Sequence, residues 1–138
     1  MHTFMATHPP AFHGPAPLGE TDTRFLLQAI AWACIARARG NHPFGAVITE
    51  ADGTLLAETH CTTTESGGPT GHAEMNALRQ FSRKVSPETH AHATLYISAE
   101  PCVMCSTAIF WRDLGREVYG IDTPWLRSFY SPASFDVT

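Results

Sequence analysis

Two short stretches decide how this chain is read: Gly71-His72-Ala73-Glu74 and Glu100-Pro101-Cys102-Val103-Met104-Cys105. The first offers an imidazole and a carboxylate two positions apart. The second offers two thiols three positions apart, directly after a proline. Together they supply one nitrogen and two sulfur ligands for a metal, with one carboxylate left over. Three protein ligands leave a fourth tetrahedral position for water, which separates catalytic zinc sites from closed structural ones. Taken alone, Cys102 and Cys105 also fit a thiol redox pair or half of a structural zinc site, and a His-x-Glu alone means nothing.

The spacing has physical content. If Cys102 opens a helix, Cys105 lies on the same face and both sulfurs reach one ion. Pro101 suits the first helical turn, where its missing N–H is no loss. The positive end of that helix favours thiolates, the form that binds metal. His72 and Glu74, at about 100° per residue, point to nearly opposite sides of a helix. They serve one site only if the metal sits over the helix end, and Thr70 is available as the N-cap there.

A chain of 138 residues is most simply one domain, with 21–138 as the folded unit. Hydrophobic residues at 43% and charged residues at 16% fit a soluble globular protein. No apolar run is long enough to span a bilayer, and no basic stretch precedes an apolar core, so neither membrane span nor signal peptide is expected. Cys34 and Cys61 remain after the metal pair, with no sign of a disulfide framework. That fits a reducing cytoplasm. The net charge of −4 and the lack of a Lys/Arg run count against a nucleic-acid partner. Arg37, Arg39, Arg79, Arg83 and Lys84 read as ordinary helix residues.

Residues 1–20, rich in His, Pro and Gly, read as a flexible arm. His2, His8 and His13 could bind metal, but a mobile tail is the simpler reading. Residues 22–39 read as a helix capped by Asp22 and ended by Gly40, with Phe25, Ala29, Trp32 and Ala36 in one stripe and Cys34 in the core. Pro43–Thr49 and Thr54–Glu58 form a hairpin around Ala51-Asp52-Gly53. Gly45 allows something to approach the backbone closely. Asn41 and His42 line a pocket or merely make a turn. A polar loop leads to a helix from Thr70 to about Lys84, with Met75, Leu78 and Phe81 inward. His90 and His92 read as solvent-facing loop residues. Thr94–Ser98 is a third strand, 102–113 the cysteine helix, and Arg116–Ile121 a fourth strand. Strand and helix alternate, which predicts a sheet with helices on both faces. The dense aromatics of 122–138 (Trp125, Phe129, Tyr130, Phe135) close a pocket or pack on a partner subunit.

Pro43-Phe44-Gly45-Ala46-Val47, His72-Ala73-Glu74 and Glu100-Pro101-Cys102-Val103-Met104-Cys105 resemble the cytidine deaminase-like superfamily, whose mark is H-x-E followed by P-C-x-x-C. The likeness covers about residues 22–121 and is greatest to the bacterial guanine deaminases and tRNA adenosine deaminases. It implies a three-layer α/β/α sandwich with a mixed, about five-stranded sheet, one Zn2+ per chain and a homodimer. It also implies that His72, Cys102 and Cys105 hold zinc while Glu74, not a ligand, shuttles protons during hydrolytic release of ammonia from a flat amino-heterocycle. Phe44, Ser98-Ala99-Glu100 and Trp111 resemble the guanine deaminase side. Backbone amides at Ala73 and around Glu100 are candidates to polarise the substrate ring, and Asp136 resembles a C-terminal Asp that faces substrate in that branch. One departure concerns the pocket. Relatives usually carry Asn eleven positions before the zinc His, and here that position is Cys61, which puts the standard substrate in question. Editing of adenosine in tRNA is the second enzymatic reading, and a deaminase fold kept for binding with weakened catalysis is the non-enzymatic one.

Overall fold

The structure, a computed structural model, describes residues 17–129. The chain forms α1 (Glu20–Ala38), β1 (Gly45–Thr49), β2 (Leu55–His60), α2 (Ala73–Ser82), the single turn α3 (Pro87–His90), β3 (Thr94–Ala99), α4 (Val103–Trp111), β4 (Arg116–Ile121) and α5 (Thr123–Ser128). Of the arm expected at 1–20, residues 1–16 lie outside the described residues, and Glu20 already belongs to α1. Residues 130–138, with Tyr130, Phe135 and Asp136, also lie outside them.

The sheet order is β2-β1-β3-β4. β1 pairs antiparallel with both β2 and β3, and β3 pairs parallel with β4. The sheet is therefore mixed. It has four strands among the described residues, not the five expected. The segment after β4 turns at once into α5, where Asp122 accepts a hydrogen bond from the Trp125 amide and Pro124 sits in the first turn.

Alternation in β1 and β3 divides the core between two faces. Ala46, Ile48, Leu95 and Ile97 face α2 and α4, meeting Ala73, Ala77, Leu78, Phe81 and Ile109. Val47, Tyr96 and Val118 face α1, meeting Phe25 and Ala29. Helices thus cover both faces, as a three-layer sandwich requires. Gly45 is where α1 comes closest to the sheet. A Cβ there would clash with the Ala29 carbonyl and lie 2.6 Å from the Ala33 nitrogen. The close neighbour that this glycine admits is the helix backbone.

Several local expectations are corrected. Gly19, not Asp22, is the N-cap of α1. Asp22 sits in its first turn, where its carboxylate accepts from both terminal nitrogens of Arg116 (2.6 and 2.8 Å) and from the Tyr96 hydroxyl (3.0 Å). Cys34 is exposed, because α1 is apolar all round and Leu27, Ile30 and Cys34 fall on its outer side. His90 is buried against the Phe81 ring at a 4.7 Å centroid separation, and that burial pushes its pKa down. Only His92 of that pair is exposed.

Candidate active site

Helix α2 starts at Ala73, three residues later than Thr70 predicted. Residues Thr63–Gly67 form a wide turn and Gly68–Thr70 a tight one. These turns use the polar loop before the helix can begin. His72 becomes the N-cap, in extended backbone, and Glu74 the second residue of the helix. Cys102 is likewise the N-cap of α4 and Cys105 its third helical residue. Pro101 lies before the helix, outside its first turn.

Two helix beginnings therefore face one point. His72 Nδ1 lies 3.6 Å from Cys102 Sγ and 3.5 Å from Cys105 Sγ. The three ligating atoms lie within 4.8 Å of one another. With Zn–S near 2.3 Å and Zn–N near 2.0–2.1 Å, the nitrogen-to-sulfur edge of a tetrahedron is about 3.6 Å. The observed separations match that edge, so the donor set and its spacing fit zinc. The positive ends of α2 and α4 both favour negative charge there.

The electrostatics agree. Burial, with the neighbouring charge of His42, pushes the His72 pKa down and keeps the imidazole neutral, its ligand form. Burial, then Glu74 and Cys102, pushes the Cys105 thiol far up. A thiolate at that position needs a cation beside it. Glu74 is buried next to Cys105 and is not among the three convergent atoms. Burial raises its pKa, as suits a group that takes and returns a proton.

The other sequence candidates are spread unevenly. Ala73 is fully buried at the first position of α2, where the backbone N–H has no partner within the helix. Cys61 is 1% exposed, its sulfur 3.2 Å from the Thr63 hydroxyl, and its amide donates to the Phe44 carbonyl at 2.9 Å. Phe44 is partly buried against the core on the α2 side. Glu100 accepts the Thr123 amide at 2.6 Å, which lowers its pKa and ties the start of α5 to the end of β3. Trp111 is not brought to the metal ligands. It is 75% exposed and ends α4, about 12 Å along the axis from the first residue of that helix. Asp136 lies outside the described residues.

Sequence reasoning missed Asn76. Its amide nitrogen donates to the His60 carbonyl, the Thr62 hydroxyl and the Gly71 carbonyl. The available signal was its place one helical turn after His72, on the same face.

The family described as the cytidine and deoxycytidylate deaminase zinc-binding region matches residues 19–121. The guanine deaminase of Bacillus subtilis is 41% identical over 88 residues, covering 63% of this chain and 56% of that protein. Its crystal structure superposes with a TM-score of 0.69 at 34% identity, covering 78% of this chain and 68% of the other. A probable cytosine deaminase of Schizosaccharomyces pombe is 35% identical over 104 residues, 75% of this chain and 62% of the relative. A tRNA-specific adenosine deaminase of Haemophilus influenzae is 33% identical over 101 residues, 73% and 58%. The chain thus spans about three fifths of the length of these curated relatives. With matching ligands, spacing, fold and sequence, the chain belongs to the cytidine and deoxycytidylate deaminase zinc-binding family.

Proposed function

We propose that the chain is a zinc-dependent hydrolytic deaminase of a small amino-heterocycle: a nucleobase, a nucleoside or a related ring, in the manner of guanine deaminases. The observation that carries this reading is the carboxylate of Glu74, buried beside three convergent ligand atoms without being one of them. His72, Cys102 and Cys105 hold the metal. When bound, zinc supplies Lewis-acid activation of water. Glu74 accepts a proton from the attacking water and returns one to the departing nitrogen. The carbon–nitrogen bond breaks, a carbon–oxygen bond forms, and ammonia leaves. Guanine, cytosine and adenosine each carry an amino group on a carbon beside a ring nitrogen, so one proton relay serves all three. In this reading the amide of Ala73, at the positive end of α2, polarises such a ring.

A homodimer is part of the proposal. Val103 is 84% exposed and Phe110 62%, one on each end of the outer side of α4, and an apolar helix face of that kind calls for cover. The metal ligands Cys102 and Cys105, together with the unpaired Cys34 and Cys61, suit a reducing cytoplasm. No helix among the described residues is long and apolar enough to cross a membrane.

One observation favours tRNA as the alternative substrate: Arg79, Arg83 and Arg112 line a single groove between α2 and α4. The net charge of −4 opposes it. Ammonia release from a panel of guanine, cytosine, adenine and their nucleosides, by native protein and by Glu74→Gln, tests the leading reading. Turnover is expected from at least one compound, with a loss of about 10²-fold or more in kcat and unchanged zinc in the variant. Near-normal kcat in Glu74→Gln refutes the role of Glu74. A salt-sensitive shift of tRNA without turnover of any small compound favours the alternative.

A further inference from the structure

We propose that Asn76 is a positioning residue of the metal centre, clasping the segment that delivers His72. The inference rests on His72, Cys102 and Cys105 being the metal ligands. The loop from Thr62 to Gly71 is closed at its neck by the Thr62 amide, which donates to the Gly71 carbonyl at 2.8 Å. The Asn76 side chain reinforces that neck from the adjacent helix. Its Nδ2 lies 3.0 Å from the His60 carbonyl, 3.0 Å from the Thr62 hydroxyl and 3.3 Å from the Gly71 carbonyl. Two of these acceptors are carbonyls that can only accept, and the amide has two hydrogens for them. Arg79 Nη1 donates to Asn76 Oδ1 at 3.0 Å, which fixes the amide orientation so that Nδ2 must face the loop. Gly71 immediately precedes His72, and Cys61 lies between His60 and Thr62. One amide therefore sets the backbone from which His72 presents Nδ1 and the place of a candidate pocket residue. Partners that orient metal ligands from behind typically change metal affinity by about 10–100-fold when removed.

The test needs no substrate, so a native protein that releases no ammonia counts against the proposed activity and leaves this inference standing. Alanine is a better helix former than asparagine, so a role confined to the helix predicts that Asn76→Ala is neutral or stabilising. The expected result is zinc affinity lower by about 10–100-fold in chelator competition. Shifted ligand-field bands in the cobalt-substituted protein, at unchanged helix content, are expected with it. Asn76→Asp, isosteric but aiming a carboxylate oxygen at two carbonyls, is expected to weaken zinc at least as much. Native zinc affinity and native cobalt bands in both variants overturn the proposal. Should Asn76→Ala fail to fold, Arg79→Ala frees the amide without removing it. A few-fold weaker zinc affinity there supports the clasp, and native affinity overturns it.

Discussion

Replacing Asp22 by Asn should weaken the tie between α1 and the sheet near neutrality and make no difference in strong acid. The carboxylate of Asp22 accepts from Arg116 at 2.6 and 2.8 Å, from the Tyr96 hydroxyl at 3.0 Å and from the Gly19 amide at 3.4 Å. The Arg116 guanidinium is the largest cause that holds its pKa at about 2, against an ordinary 3.8, with burial opposing. That gap corresponds to at most about 2.4 kcal/mol of stability. The Asp22 side chain keeps 12% of its surface but Arg116 keeps 45%, so solvent screening brings the expected contribution to about 1–2 kcal/mol. Because the folded pKa is depressed, this stability is fully present above 3.8 and is lost as the pH falls through about 2. Urea unfolding of native protein and Asp22→Asn across that range is the assay. The native chain should be more stable near neutrality by about 1–2 kcal/mol, and the difference should close on acidification. Loss of zinc in acid affects both proteins and drops out of the difference. Parallel stability curves for the two proteins down to about pH 2 would refute the reasoning.

Metal analysis should find about one zinc per native chain, and Cys102→Ala or Cys105→Ala should lose it, since each removes one of three ligands; full zinc in both variants would remove those residues from the site. Gly45→Ala drives a methyl into the backbone of α1 at Ala29 and Ala33, so it should cost about 3 kcal/mol, the upper end for overpacking. A thermal midpoint unchanged from native would show that the helix can retreat freely. Cys61→Asn restores an amide with both donor and acceptor. If position 61 faces substrate, it should improve guanine relative to the natural substrate by about 1–3 kcal/mol, the range for a buried polar atom regaining a partner. Efficient guanine turnover by the native chain, unmoved by the substitution, would show that this position does not set specificity.

What the sequence made legible was local and short in range. The run Cys102-Val103-Met104-Cys105 carries its own geometry, because residues three apart at a helix start share a face. Gly45 announced a close approach without saying by what. The rest depended on contacts made elsewhere. Thr70 looks like an N-cap, yet the loop before it coils twice and moves the helix start to Ala73. In α1 the stripe of Phe25, Ala29 and Ala36 is buried as its spacing predicts, but apolar residues occur on every side, so periodicity could not place Cys34 on the exposed one. His90 looks like a loop residue until Phe81 covers it. Trp111 belongs to the same helix as the cysteines, but nine residues of helix carry it to the far end. Asn76 is polar and mid-helix, which usually means a solvated face. Only the folded loop supplies the three acceptors that give it a task.

Neither of the helices that carry ligands has a side-chain cap of its own: His72 and Cys102 occupy the capping positions without making the capping hydrogen bond. A metal held by His72, Cys102 and Cys105 would tie the first turn of α2 to the first turn of α4, and the thiolates it holds would set negative charge at both helix starts. Losing it would loosen two helix ends in one event and expose their backbones together. Proteases cut where backbone opens, so the metal-free protein should be nicked at these two helix starts faster than the zinc-loaded one.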